Sequence, residues 1–379
     1  MTLLDKLLIH HLNMRSTSVT EDEEGVMCSF GEEQFIRLQC GRIDRGRYTP
    51  DQFSVLLVKT KNFREAQSYL LNVKGNIRIG WIFPINALVS RTEIPEDKWA
   101  KIYANFALNA LIYNSEIIQY AKIPEFAQNY NILDFYDEES AVVIIGREAL
   151  DNYNINLQGV QVALLKEGYA TYHSTNGNNL FWKGNTAHLE KITINLISKD
   201  LHQYLEKFEF LIRQAIWDEN YCASFFSIYQ IIEAMLLIIF EAAVDVCKDQ
   251  DFLIKNPWKL KDELNSITKE SWRLDRLFND FINPGIDSYL IEEAKSVFLD
   301  FLTKYDQDKP NKNDYVKNLY RIRNLVVHRQ YLLTEEAVKD LLDVNQVFLN
   351  LCFEILSKFS LEYGKNKLTK KYKKEILQI

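Results

Sequence analysis

Hydrophobic and polar positions follow one rhythm in the first half of the chain and another in the second. Up to about residue 197, short β-branched or aromatic runs are bounded by Gly, Asn and Asp turns, which reads as strands. The runs are Gln34–Gln39, Phe53–Val58, Ile77–Phe83, Ala141–Gly146, Val160–Leu165, Tyr169–His173 and Lys191–Ile197. One helix interrupts them. Pro95 opens it, Glu96 and Asp97 fall in its first turn, and apolar residues follow to about Ile118. The stretch STNGNNLFWKGNT has the composition of a hairpin or loop excursion.

Near residue 198 the period becomes helical. Leu201, Leu205, Phe208, Ile212, Ala215 and Ile216 share one face. Tyr221–Cys247 is apolar nearly all round, so it belongs at the centre of a bundle. Shorter helices are expected over Trp258–Ile267, Arg273–Phe281 and Ile291–Lys304, and a further helical segment over Asp314–Tyr331. Thr334 then caps a long helix with Glu335 and Glu336 in its first turn. The expected fold class is α+β: a strand-rich mixed domain over residues 1–197, an all-α bundle over 198–362, and a basic tail over 363–379. No internal repeat is visible.

The 379 residues, 47% hydrophobic and 26% charged, describe ordinary globular domains, each long enough for its own core. The five cysteines, Cys28, Cys40, Cys222, Cys247 and Cys352, form no C-x-x-C pair and are odd in number. That fits reduced thiols better than a disulfide framework. The first residues, MTLLDKLLIHHLNMRS, lack the uncharged core of a signal peptide. The most apolar run, Ala234–Phe240, is short and bracketed by Glu233 and Glu241. The expected protein is soluble, cytoplasmic and without a membrane contact. A net charge of −7 argues against coating of nucleic acid by bulk attraction and leaves room for a local basic patch.

The segment with chemical content is Tyr320-Arg321-Ile322-Arg323-Asn324-Leu325-Val326-Val327-His328-Arg329. On a helix, Asn324 and His328 lie one turn apart on one face. Arg323 sits about 140° round from His328, within reach of a long side chain. Cleaving RNA without a metal needs a group that moves protons at the 2′-OH or the 5′-oxygen, and a group that offsets charge building on phosphoryl oxygens. Histidine suits the first and arginine the second. Asparagine can orient either the imidazole or the phosphate. The set is suited to attack by the 2′-OH, giving a 2′,3′-cyclic phosphate and a 5′-OH. The bland reading is that His328 caps or packs a helix end while Arg321, Arg323 and Arg329 are solvated. An arginine and a histidine at this spacing arise easily by chance, and the asparagine directly after the arginine makes the match more specific.

R-N-x-x-x-H near the end of a helical bundle resembles the R-x4–6-H signature of the HEPN superfamily, matched here by Arg323, Asn324 and His328. The run Phe225-Phe226-Ser227-Ile228-Tyr229-Gln230-Ile231-Ile232-Glu233 is similar to the preceding long helix of ApeA-like HEPN proteins. The resemblance covers roughly residues 199–360 and does not extend to the first half. It implies a metal-independent endoribonuclease, of the kind found as toxins and phage-defence effectors, acting on RNA (tRNA among the candidates). It also implies a homodimer joined through the helical domain, so that two motifs form one cleft, and room for a defence-system partner or trigger. The alternative is a HEPN module without activity that assembles or regulates partners.

Five further groups are singled out along the chain. Glu233, in an apolar stretch, is expected to pair with Arg321 or Arg323, or to lie on an exposed face, and Gln230 joins the same polar cluster. Arg329 and Lys317 are candidate RNA contacts. So are Lys370 and Lys371, within the run Lys365, Lys367, Lys370, Lys371, Lys373 and Lys374, which reads equally as a frayed soluble tail. Arg42, Arg45 and Arg47 form a basic turn, and Asp137, Glu138 and Glu139 a solvated acidic one.

Other chemistries find no support. His10 and His11 are adjacent and expected to point apart, and His173, His188 and His202 lack partners at ligand spacing, so neither metal nor cofactor is expected. Glu96-Asp97-Lys98 has the form of a metal-dependent nuclease motif but opens a helix rather than ending a strand. Phosphate-binding G-x-x-x-x-G-K-[ST], dinucleotide-binding G-x-G-x-x-G and hydrolase G-x-S-x-G are absent. The first half is expected to be a sensing or substrate-selecting domain.

Overall fold

The computed structural model describes residues 1–44, 48–60, 67–73, 75–91, 94–172, 191–250, 254–306 and 310–376. Its architecture is α+β, and the chain divides into two compact units with the boundary between Asn195 and Leu196.

Unit 1 opens with α1 (Leu3–Leu12). Thr2 and Asp5 form a reciprocal capping box, and Leu3, Leu4, Leu7 and Leu8 turn inward. The strands are β1 (Ser18–Glu21), β2 (Gly25–Ser29), β3 (Phe35–Gln39), β4 (Phe53–Lys59), β5 (Tyr69–Val73), β6 (Ile77–Pro84), β7 (Asn129–Asn131), β8 (Ser140–Gly146), β9 (Ala170–Thr171) and β10 (Lys191–Ile194). They form a four-stranded sheet in the order β1-β2-β3-β7 and a six-stranded sheet in the order β10-β5-β6-β8-β4-β9. β8 is buried along its whole length, as a continuous Ala-Val-Val-Ile-Ile run predicts for a strand covered on both faces. At Gly80 of β6 a Cβ atom would lie 2.1 Å from the Ile144 carbonyl oxygen, so close pairing with β8 requires glycine there.

Helices α2 (Ile85–Ser90), α3 (Lys98–Tyr113), α4 (Ser115–Ile118), α5 (Arg147–Asn152) and α6 (Leu157–Lys166) complete the unit. α3 packs on β6 and β8, and its Ala104, Ala107 and Leu111 join Leu4, Val26, Phe83 and Ile144 in one core.

Three expectations change here. The run Val160–Leu165 is helix, not strand. Asn156 caps α6 by accepting from the Gln158 N–H, and helical spacing buries Val160, Ala163 and Leu164, so the β-branched content misleads. Pro95 does not open α3. Asp97 is its N-cap, accepting from the Trp99 and Ala100 N–H groups, and the helix stops at Tyr113 before Asn114 caps α4. The acidic turn is not simply solvated, because Lys59 sits 3.4 Å from Glu139 and 3.9 Å from Asp137. The STNGNNLFWKGNT stretch, His173, His188, Arg45 and Arg47 lie outside the described residues.

Unit 2 comprises α7 (Leu205–Trp217), α8 (Tyr221–Lys248), α9 (Pro257–Thr268), α10 (Glu270–Asp280), α11 (Ser288–Tyr305), α12 (Tyr315–His328), α13 (Glu335–Lys358) and α14 (Leu361–Ile376). Helix α8 is long and apolar enough to cross a membrane by length and composition, with a mean hydropathy of 1.9 over an 18-residue window. That window is 67% buried, because α7, α9, α10, α12, α13 and α14 all pack on it. The rings of Phe225, Tyr229 and Phe348 meet where α8 faces α13.

From residue 363 to 376 the expected tail is instead part of a helix of the bundle, Leu361–Ile376. Leu368 and Tyr372 are buried, the Cys247 thiol lies 3.4 Å from the Tyr372 hydroxyl, and Lys367 Nζ donates to the Asn279 carbonyl. The lysine stems line one face of this amphipathic helix while Leu368 and Tyr372 turn inward.

Candidate active site

Helix α12 carries the motif. Asp314 caps it by accepting from the Lys317 N–H. Just upstream, buried Asn318 grips the approaching chain by exchanging two hydrogen bonds with Asn311, at 3.1 and 2.7 Å. Val316, Leu319, Ile322 and Val326 form the buried face. With that face turned inward, the 3.6-residue period leaves Lys317, Arg321, Asn324 and His328 on one outer stripe. His328 is the last helical residue and is exposed. Arg329 is the C-cap, its N–H donating to the Leu325 carbonyl.

Arg323, Asn324 and His328 come together. Arg323 Nη1 donates to Asn324 Oδ1 at 3.1 Å and lies 2.6 Å from His328 Nε2. A guanidinium carries only donors, so Nε2 accepts and the imidazole proton sits on Nδ1 in this arrangement. In this arrangement the accepting nitrogen is covered by the arginine beside it.

The arginine is itself held from α8 and α10. Its Cζ lies 5.6 Å from the centre of the Tyr229 ring. Its Nη2 is 3.7 Å from both Glu233 Oε1 and Glu270 Oε2. Tyr229 donates its hydroxyl proton to Glu270 Oε1 at 2.8 Å. Burial first, then the Glu270 carboxylate, pushes the Tyr229 phenol far above its ordinary range, so it stays a donor. The Arg323 side chain is 14% exposed, and its Nε is buried without a hydrogen bond. Glu233 is 45% exposed and Glu270 23%, so solvent screens the first of these pairs more.

Glu233 meets Arg323 and not Arg321. Arg321 instead forks Nε and Nη2 onto Asp306 Oδ2, at 3.1 and 2.6 Å, tying α12 to the end of α11. Gln230 makes no hydrogen bond to the motif. It lies 100° round α8 from Tyr229, whereas Glu233 is one turn along on the Tyr229 face. Lys317 pairs with Asp314 at 2.9 Å and stands about 16 Å along the helix axis from His328. Lys370 and Lys371 are more remote. Lys371 covers the Tyr372 ring, which meets Cys247, and Cys247 is about 27 Å along α8 from Tyr229. Lys365 and Lys367 are occupied by Asp245 and Asp280, while the side chains of Lys373 and Lys374 lie outside the described residues.

Two residues of the cluster were not anticipated as such. Tyr229 was visible only as part of a run, though Tyr229 and Glu233 at one-turn spacing mark a shared face. Glu270 carries no sequence signal beyond an acid in the first turn of a helix. Elsewhere, the His10 and His11 rings do not point apart but meet edge to face at 4.9 Å. Glu96 pairs with Lys101 across the start of α3. Among the described residues, no group of three or more His, Cys, Asp or Glu side chains is placed to hold a metal ion.

No family model, curated protein or solved structure matches the chain.

Proposed function

We propose that the chain is a metal-independent endoribonuclease of HEPN type, with the Arg323, Asn324 and His328 cluster as its catalytic centre. The observation that carries this reading is the 2.6 Å contact between Arg323 and His328 at an exposed helix end. That contact supports the reading because an arginine, which can bind phosphate, and a histidine, which can move a proton, lie within one hydrogen bond of each other. In the reaction, a phosphate oxygen draws the guanidinium away from Nε2, and the uncovered nitrogen takes the proton of the ribose 2′-OH. The 2′-oxygen attacks phosphorus, Arg323 offsets the charge on the phosphoryl oxygens, and the 5′-oxygen departs with a proton. One motif supplies one histidine, so a second copy of the chain is the natural source of the acid. A role as toxin or phage-defence effector follows from the resemblance alone.

Charge at the site favours a second reading. Glu233 and Glu270 outnumber Arg323, which opposes an incoming phosphate, and a scaffold that uses the arginine only to pin α12 would look the same. RNA incubated with the purified protein in EDTA separates the two. Shortened products ending in 2′,3′-cyclic phosphate and 5′-OH are expected. Intact RNA, with and without magnesium, would leave the scaffold.

The α8 and α10 partners supply a finer test. Tyr229→Phe keeps the ring over Arg323 and removes only the hydroxyl, and Glu270→Gln removes one charge. Each is expected to lower kcat about tenfold through a misplaced guanidinium, with little change in KM or thermal midpoint. A lower midpoint with unchanged kcat would assign both residues to structure alone.

A further inference from the structure

We propose that Tyr331 and Phe226 form a stacking site for an unpaired RNA base beside the scissile phosphate, which makes single-stranded or looped RNA the substrate. What the site serves rests on the endoribonuclease reading. Tyr331 follows His328 by three residues, on a single 3-10 turn, Gln330–Leu332. Three residues of chain span at most about 11 Å, so the ring starts close to the histidine. It is 82% exposed. A ring so exposed removes little apolar surface from water and contributes little to the fold.

The turn that carries it is held in place. The Leu332 N–H donates to the Arg329 carbonyl at 2.8 Å, and the Leu333 N–H to the Gln330 carbonyl at 3.0 Å. The Gln330 side chain shares a hydrogen bond with the Cys222 thiol in the first turn of α8. Cys222, Phe226 and Glu233 lie within about 40° of one another around α8. One face of that helix therefore runs from the Gln330 contact to the carboxylate beside Arg323. Phe226 stands between the two, about 6 Å along the axis from Cys222 and about 10 Å from Glu233. It is 44% exposed. Two exposed aromatic rings thus accompany the Arg323 and His328 pair, one on α8 and one on the turn.

Chemistry selects the occupant. A phosphate held by Arg323 brings the bases of its neighbouring nucleotides with it. Unpaired bases are recognised by stacking on aromatic side chains. A base inside a duplex is already stacked and paired, and it cannot reach a ring on the protein surface. Charge chooses the side. Glu233 and Glu270 border Arg323 on α8 and α10. The chain from Asn324 to Thr334 holds no carboxylate and includes the exposed Arg329. A strand that leaves the cluster toward Tyr331 meets a cation with its next phosphate rather than an acid.

The test uses the full-length protein and a single-stranded oligouridine of 2′-O-methyl riboses with one central 2-aminopurine, whose fluorescence falls when it stacks. The blocked 2′-oxygen prevents cleavage, so the signal reports binding alone. Quenching is expected with the parent, with His328→Ala and with Tyr331→Phe, which keeps the ring. Tyr331→Ala and Phe226→Ala are each expected to weaken binding about tenfold, within the range for losing one stacked base, and Tyr331→Ala to lose the quench. Annealing the strand to its complement is expected to remove the response to protein. No binding, binding unchanged in either alanine variant, or an equal response from the annealed strand would overturn the proposal. So would a change of oligomeric state in Tyr331→Ala, read by light scattering, which would assign the ring to a contact between copies. Intact RNA together with a Tyr331-dependent quench would remove the nuclease and keep the stacking site. RNA cleavage together with an unchanged quench would do the reverse.

Discussion

His328→Ala is expected to lower the rate of RNA cleavage by at least a hundredfold, and Arg323→Ala by a similar factor. Removing a positioned general base costs roughly 10²–10⁴ in rate, and removing a donor aimed at developing charge roughly 10²–10³. The two variants differ in what they do to the fold. His328 is an exposed helix end, so its alanine variant should unfold at the parental denaturant midpoint. Arg323 lies under Tyr229, between Glu233 and Glu270. Its removal leaves two carboxylates without their cation, so some stability is lost as well. Asn324→Ala should fall between parent and His328→Ala, because Asn324 Oδ1 only steadies Arg323 Nη1. Initial rates on a labelled RNA in EDTA, read beside circular dichroism, decide the matter. Parental activity in a folded His328→Ala protein would remove the catalytic assignment.

Tyr372→Ala should destabilise unit 2 by about 3–5 kcal/mol, the range for losing a large buried aromatic side chain. The Tyr372 ring is fully buried between α14 and the end of α8, and its hydroxyl meets the Cys247 thiol. α14 also approaches Phe281 closely. A Cβ atom at Gly364 would lie 2.2 Å from that ring, so the helix is fitted to its neighbours rather than draped on them. Denaturant unfolding measures the loss directly. A change under 1 kcal/mol would mean that the last helix is dispensable to the bundle.

Where the physics is local, the sequence was enough. The all-round apolar pattern of Tyr221–Cys247 marked the central helix within a residue, and Thr334 followed by two acids marked the start of α13. The R-N-x-x-x-H spacing likewise brings its three residues together, because helical geometry alone decides which side chains can meet. What depended on tertiary context was hidden. Val160 to Leu165 has strand-forming residues but follows a capping asparagine. The lysines after residue 363 obscure the inward positions Leu368 and Tyr372. Glu270 reaches Arg323 only through the packing of α10 on α8, and no spacing in the sequence links residues 270 and 323. Strands β1, β2, β5 and β7 are short and pair with partners that a linear reading cannot select.

All five thiols are buried: Cys28 and Cys40 in unit 1, and Cys222, Cys247 and Cys352 in unit 2. Burial also raises Cys28 and Cys40 to about 11, which leaves little thiolate at neutral pH. An alkylating reagent can therefore reach them only when the surrounding structure opens. Each half of the chain thus carries its own clock for opening, and mass spectrometry of the alkylated peptides would read the two clocks separately in one sample.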